Sequence, residues 1–262
     1  MIDPNNKDQE GLRKIIAGGT EIAGGAVGGA LGFLAAGPGG AAVLGAGGVL
    51  AANALKRVGQ EVADRMLGPR EKIRVGAVVA IAAMEIKGRI DKGEALRDDA
   101  FFETDASGRS RADSVVESIL LKSQREPEEK KIQFMGHLLS NIAFDKTISG
   151  DMAHQIIKVA EDLTYRELCI LRLSAVKEFY TLRASDYRGY GPFPKELYQV
   201  LYECMDLYHR GLINFGGSVG FGPTDVTPNA MTIQGLGADL YNLMSLAEIT
   251  DKDILPIAAE LK

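Results

Sequence analysis

The sequence predicts a mainly α protein: an N-terminal Gly/Ala-rich helical hairpin, a helical-bundle middle and a C-terminal winged-helix-like module with a short β-ribbon. Three observations carry this. The stretch Ile15 to Leu55 is almost entirely Gly, Ala and aliphatic, with Glu21 as its one charge. Apolar residues then recur at helical spacing as far as Leu163. From Thr164 onward the order becomes helix, helix, two short strands, helix. The segments are 1–14, a polar lead-in; 15–55, the hairpin; 56–163, the helical body; and 164–262, the winged-helix-like domain.

In the hairpin, Gly24, Gly28 and Gly32 recur every fourth residue with Gly25 and Gly29 beside them. A helix of that pattern has a face without side chains, on which a second helix packs at close range, and Gly45 offers the same to the second arm. Gly37, Pro38, Gly39 and Gly40 break the helix, because proline removes a backbone donor and glycine accepts any turn. At about 1.5 Å per residue, Ile15 to Ala36 would reach roughly 33 Å and Gly40 to Leu55 roughly 24 Å, against a hydrocarbon core of about 30 Å. Arg13 and Lys14 flank one outer end and Lys56 and Arg57 the other, which would keep both ends cytoplasmic. Ile22, Val27, Leu31, Phe33 and Leu34 give the first arm only a few kcal/mol of insertion energy, so packing through the glycine face, between copies of the chain, has to add stability. The lack of Trp argues mildly against a membrane protein with aromatic belts. A hairpin buried in a soluble domain is one competing reading. A flexible linker is another, although linkers carry Ser and polar residues instead of Ile, Leu, Val and Phe. A phosphate-binding loop is disfavoured because no Gly-Lys-Ser/Thr follows the glycines. The stretch is also too long for a signal peptide and lacks its cleavage context.

Helix continues from Lys56 to Met66 until Gly68 and Pro69 stop it. Glu71 to Ile90 is the next helix; its uncharged run, Val75 to Met84, suits a core helix and is too short for a span. Arg97 to Arg111 reads as a charged loop that Phe101 and Phe102 pin to the body. Ala112, Val115, Val116 and Ile119 mark a helix from Ala112 to Gln124. Pro127 fits the first turn of the following one, with Glu128 and Glu129 at its positive end and Ile132, Met135, Leu139 and Ile142 facing inward. Met152, Ile156, Val159 and Leu163 mark another. Thr164 to Glu167 is a capping box that starts a helix running to about Tyr180. After a loop from Ser185 to Pro194, the stripe Leu197, Val200, Leu201, Cys204 and Tyr208 gives a helix ending at Gly211. Leu212 to Phe215 and Met231 to Ile233 read as strands around a glycine-rich tip. Helix resumes near Gly235 with Leu236, Leu240 and Leu243, and Asp251 to Leu261 closes the chain.

Residues suited to catalysis or metal binding are scattered. His137, His154 and His209 fall on different helices without metal-ligand spacing, and Cys169 and Cys204 read as core residues in a reducing compartment. The acids Asp98 with Asp99, and Asp145 with Asp151, are explained by helix capping, and no serine sits in a nucleophile elbow. The reading is therefore non-enzymatic, with no cofactor. A formal charge of −5 offers no general attraction to nucleic acid. The would-be recognition helix sets Lys195 and Arg210 against Glu196, Glu203 and Asp206, and the tip carries Asp225 with no Lys or Arg. Such a module suits a protein partner better than DNA.

From Arg70 to about Leu246 the chain resembles the Abi-alpha family of bacterial abortive-infection proteins. The residues that carry the resemblance are KKIQFMGHLLSNIAFD at Lys130 to Asp145, LTYRELCIL at Leu163 to Leu171, RGLI at Arg210 to Ile213 and MTIQG at Met231 to Gly235. It implies a role in defence against phage, with no active site to transfer. The glycine hairpin lies outside the matched region and resembles glycine-zipper membrane segments. Together these lead to the expectation of an antiviral effector whose hairpin inserts and oligomerises in the bacterial inner membrane, or stays cytoplasmic until triggered. The alternatives are a winged-helix module or regulator contacting a protein partner or DNA, and a soluble oligomeric scaffold that buries the hairpin.

Overall fold

The computed structural model describes residues 45–262 apart from 64, 66, 190 and 218. Among them are nine α-helices and one two-stranded sheet: α1 (Gly45–Ala63), α2 (Pro69–Asp91), α3 (Arg111–Arg125), α4 (Glu129–Ile142), α5 (Gly150–Asp162), α6 (Tyr165–Ala175), α7 (Lys195–His209), β1 (Ile213–Phe215), β2 (Met231–Ile233), α8 (Leu236–Leu243) and α9 (Asp251–Glu260). The chain divides into two compact units, one ending at Asp162 and one spanning Leu163–Lys262.

In the first unit α2 is the central helix. Every residue from Val75 to Ala83 is buried, as expected of a helix apolar on all sides and surrounded by others. Helices α1, α3 and α4 pack against it, α4 most extensively, and α5 packs on α3. Gly136 of α4 permits a close approach: a Cβ added there would stand 2.7 Å from Cβ and Cγ2 of Ile81. Local signals set the ends. The Glu71 carboxylate accepts the Gly68 N–H at 2.6 Å to start α2. Ser110 and Asp113 form a capping box for α3, the serine hydroxyl accepting the Asp113 N–H at 3.1 Å and the aspartate accepting the Ser110 N–H at 2.7 Å. Phe101 is buried, with the Arg97 guanidinium 4.2 Å above its ring and Phe102 edge-on to it.

Two details of this unit differ from the sequence reading. Pro127 precedes the N-cap of α4, Glu128, and so lies outside the first turn, because Glu128 is still extended at φ −91° and ψ 95°. The inward stripe of α5 is Ala153, Ile156, Ile157 and Ala160, whereas Met152 is exposed and Val159 half-buried. Close packing selected small alanines over the larger apolar side chains.

In the second unit the capping box starts α6 as expected, with the Glu167 carboxylate accepting the Thr164 N–H at 2.7 Å. Helix α6 ends at Ala175, earlier than predicted, and continues only as a short turn of 3₁₀ helix over Lys177–Phe179. Helix α7 buries Val200, Leu201, Cys204, Met205 and Leu207, and Gly211 at φ +72° turns the chain out of it, a conformation glycine adopts without strain. Strands β1 and β2 pair antiparallel, with Ile213 opposite Ile233, Asn214 opposite Thr232 and Phe215 opposite Met231. Gly237 in α8 lies against the backbone of Leu212, where an added Cβ would stand 2.1 Å from the carbonyl oxygen.

Candidate functional site

Of the residues singled out in the sequence, Arg13, Lys14, Gly24, Gly25, Gly28, Gly29, Gly32, Gly37, Pro38, Gly39 and Gly40 lie outside the described residues. Gly45 is the first residue of α1. No helix among the described residues is long and apolar enough to cross a membrane. The end of the predicted second arm and the body meet within α1, which is continuous through Leu55 to Ala63. Ala51, Ala54, Leu55, Val58 and Val62 are buried. A Cβ added at Gly59 would stand 3.7 Å from Cγ2 of Val79 in α2, an ordinary van der Waals contact.

Arg57, expected to flank a membrane, forms an ion pair with Asp113, whose side chain is fully buried. Burial alone pushes the Asp113 carboxyl up. The hydrogen bonds from Arg57 and from the N–H and hydroxyl of Ser110 outweigh it and hold the group below the usual carboxylate range. One turn on, Glu117 of α3 accepts from Arg65 at 2.6 Å and from Arg109 at 2.7 Å, and these two guanidinium groups lower its pKa as well. Lys56 is half-buried. Arg57 of α1 and Arg65, two residues beyond its end, thus meet two acids of α3, a pattern with no motif in the sequence because these partners are more than fifty residues apart.

Where α2 meets α4, the Glu85 carboxylate takes hydrogen bonds from the Ser140 hydroxyl and Nδ1 of buried His137, while Asn141 accepts from Arg89 at 2.9 Å. The acid stands between serine and imidazole, so the hydroxyl donates to a carboxylate and not to a histidine base, unlike the geometry that activates a nucleophile. Further along α4, buried Lys131 pairs with buried Glu126 at 2.6 Å and donates to the Glu161 carbonyl at 3.0 Å. These buried charges are compensated within the helical body. The acids picked out in the sequence are bound locally: Asp99 pairs with Arg97, and Asp145 accepts from the N–H and hydroxyl of Thr147 in a turn. His154 meets the Ser114 hydroxyl at 3.2 Å, and both Cys169 and Cys204 are buried and outside any disulfide.

The second unit exposes large apolar side chains at Phe179, at Leu255 of α9, on α7 and at the tip between the strands. Tyr198 and Tyr202, one turn apart on α7, are 50 % and 60 % exposed, and Val219 and Phe221 of the tip 60 % and 83 %. The tip is organised around Asp225. Its carboxylate accepts the N–H groups of Phe221 at 2.7 Å and Gly222 at 3.2 Å and the Arg188 guanidinium at 2.6 Å, the last contact being the main cause of its lowered pKa. Gly220 donates to the Tyr208 hydroxyl at 3.3 Å and leaves room for Met205, so the tip rests on α7. The sequence gives no sign that Arg188, from the preceding loop, reaches the tip; its charge is spent on Asp225. On α7 itself Glu203 is paired with Arg166 and Asp206 with Arg210. What remains outward on the middle of α7, Tyr198, Gln199 and Tyr202, is neutral.

The chain matches no family model, no curated protein and no solved structure.

Proposed function

We propose that this protein is a membrane-associated, non-enzymatic effector of bacterial anti-phage defence of the Abi-alpha kind, in which the glycine-rich hairpin inserts and oligomerises in the inner membrane. The observation that carries the reading is the apolar, glycine-repeating character of Ile15 to Leu55, whose end from Gly45 lies within α1, a helix with its distal half packed in the helical body. A hairpin that inserts weakly on its own gains from self-packing through Gly24, Gly28 and Gly32, and the body fixes its C-terminal end. Expression in bacteria of the intact chain and of Gly28→Leu tests this. The parent should arrest growth and cross-link as an oligomer, and the variant, with a bulky side chain on the packing face, should do neither. Equal toxicity and equal cross-linking of the two would refute it.

The second unit is read as a winged-helix-like module that binds a protein partner. Its order of α6, α7, paired strands and α8 supports the winged-helix reading, and exposed Tyr198, Tyr202 and Phe221 support a protein ligand over DNA. Tyrosine supplies large contact area at low entropic cost, whereas a phosphate-binding face carries free cations. A salt-dependent mobility shift of duplex DNA, abolished by Lys195→Glu, would reverse this choice.

A further inference from the structure

Two side-chain links join α6 to α7 in the second unit, and they are chemically opposite. In one, Arg166 of α6 donates from Nε at 2.7 Å, and from Nη2, to the Glu203 carboxylate of α7, a two-pronged ion pair. In the other, next along the same contact, Glu167 of α6 meets Asp206 of α7, acid against acid within hydrogen-bond reach. Two carboxylates cannot donate to each other, so this second link holds only with a proton between them.

The surroundings put that proton on Glu167. The residue is buried, 6 % exposed, and burial does most to raise its pKa above the usual carboxylate range; Asp206 adds to the rise. The N–H and hydroxyl of Thr164, at 2.7 Å and 2.9 Å, pull the other way without cancelling it. Both donate to Oε2, which leaves Oε1 outside the cap. Asp206, by contrast, has the Arg210 Nε at 2.7 Å to meet its charge.

Among the described residues no cation pairs with Glu167. Arg166 is taken by Glu203, and Arg172, further along α6, donates to the Tyr241 hydroxyl of α8 at 2.9 Å. On α9, which packs against both helices, Asp251 accepts from Tyr180, and Asp253 from Tyr165 and Thr250, while Lys252 and Glu260 are exposed. Asp225 of the tip accepts from Arg188, Asp239 of α8 is half-buried, and Glu248 is exposed. Lys195, Glu196 and His209 of α7 are exposed, and β1 and β2 carry no charged side chain.

We propose that Glu167 and Asp206 form a proton latch: one shared proton fastens the start of α6 to α7, and its loss sets two negative charges against each other across that contact. The folded protein holds this proton more tightly than the unfolded chain does. The latch therefore contributes in full below the ordinary carboxylate pKa and is lost as pH rises through the folded value. Its sign is opposite to that of Asp225, whose pKa is lowered. Asp206 lies one turn beyond Tyr202 on α7, so the latch bears on the helix that presents the exposed tyrosines. That consequence for binding rests on the protein-partner reading above; the latch itself does not.

Amide hydrogen exchange on the full chain, with no partner added, tests the latch. Protection factors, which remove the intrinsic pH dependence of exchange, should fall by about tenfold or more at residues 168–171 and 201–207 between about pH 5 and about pH 9. Glu167→Gln should keep the low-pH protection throughout, because glutamine also serves in a capping box, its oxygen accepting from Thr164 while its N–H donates to Asp206. Asp206→Asn should flatten the profile as well, and it decides the matter with the parent where the glutamine variant does not fold. A parent whose protection does not fall overturns the latch. So does a fall that survives in the variants and thus belongs to another group such as His209. Protection lost at every pH in Glu167→Gln would overturn it too, by showing that Glu167 serves only as an ionised cap. Failure of the partner reading leaves all these outcomes in place, since no partner enters the measurement.

Discussion

Gly136 of α4 and Ile81 of α2 lie so close that no room is left for a methyl group between them. The atoms in the way, Ile81 Cβ and Cγ2, are fixed to the backbone or branch directly at it, so no rotamer change clears the space. Gly136→Ala should lower stability by about 2 kcal/mol despite the better helix propensity of alanine, read as a lower urea midpoint. Gly88, also within α2, has open space around its Cα. Gly88→Ala should stabilise by about 0.5–1 kcal/mol, and a loss at Gly88 together with a gain at Gly136 would contradict this helix packing.

Asp113 connects the start of α3 to α1. Its pKa is depressed in the folded protein, so its contribution is fully present above the unfolded carboxylate value and is lost as pH falls through the folded one. Glu71, Asp99 and Glu117 are depressed too, so the first unit should lose stability on acidification below about pH 4. Asp113→Ala should remove about 2 kcal/mol at neutral pH and flatten the acid limb of a stability profile. A profile of unchanged slope would show that Asp113 has no such linkage.

The tip of the second unit depends on one carboxylate. Asp225→Ala deprives Phe221, Gly222 and Arg188 of their common acceptor. Exchange of the amides at Phe221 and Gly222 should rise at least tenfold while α7 and the strands keep their protection. Because Arg188 and the backbone N–H groups hold Asp225 below the usual carboxylate range, the wild-type tip should loosen in the same way only at acid pH.

Gly237 stands where the start of α8 crosses the chain entering β1, and a Cβ there would overlap the Leu212 carbonyl. Backbone cannot move aside as a side chain can. Gly237→Ala should cost the second unit about 3 kcal/mol, seen as loss of exchange protection across α7 and α8; a variant as stable as the parent would mean that α8 does not lie this close.

Periodicity and capping chemistry reveal most of the helices because those signals are local. Glu71 to Ile90, Ala112 to Gln124 and the Thr164–Glu167 box are each within two residues of the elements found. The paired strands also stood out, between the glycine that ends α7 and the one before α8. What failed was judged by side-chain size, as where Met152 and Val159 yielded their places to Ala153 and Ala160. The candidate site is less legible. The Arg57–Asp113 pair has no sequence signal because its partners are fifty-six positions apart, and Arg188 was invisible at the tip for the same reason. Buried Lys131 and His137 look in sequence like any surface residue; only the fold brings Glu126 and Glu85 to them.

The structure also corrects the obvious truncation. Removing Ile15 to Leu55 would take Ala51, Ala54 and Leu55 out of the body, so the cut belongs before Gly45. Fractionation of bacteria expressing the full chain and a version lacking residues 15–44, with an alkaline wash of the pellet, is the most direct measurement. The full chain should stay with the membranes, and the shortened one should be recovered folded in the supernatant. Recovery of both in the supernatant would contradict membrane association.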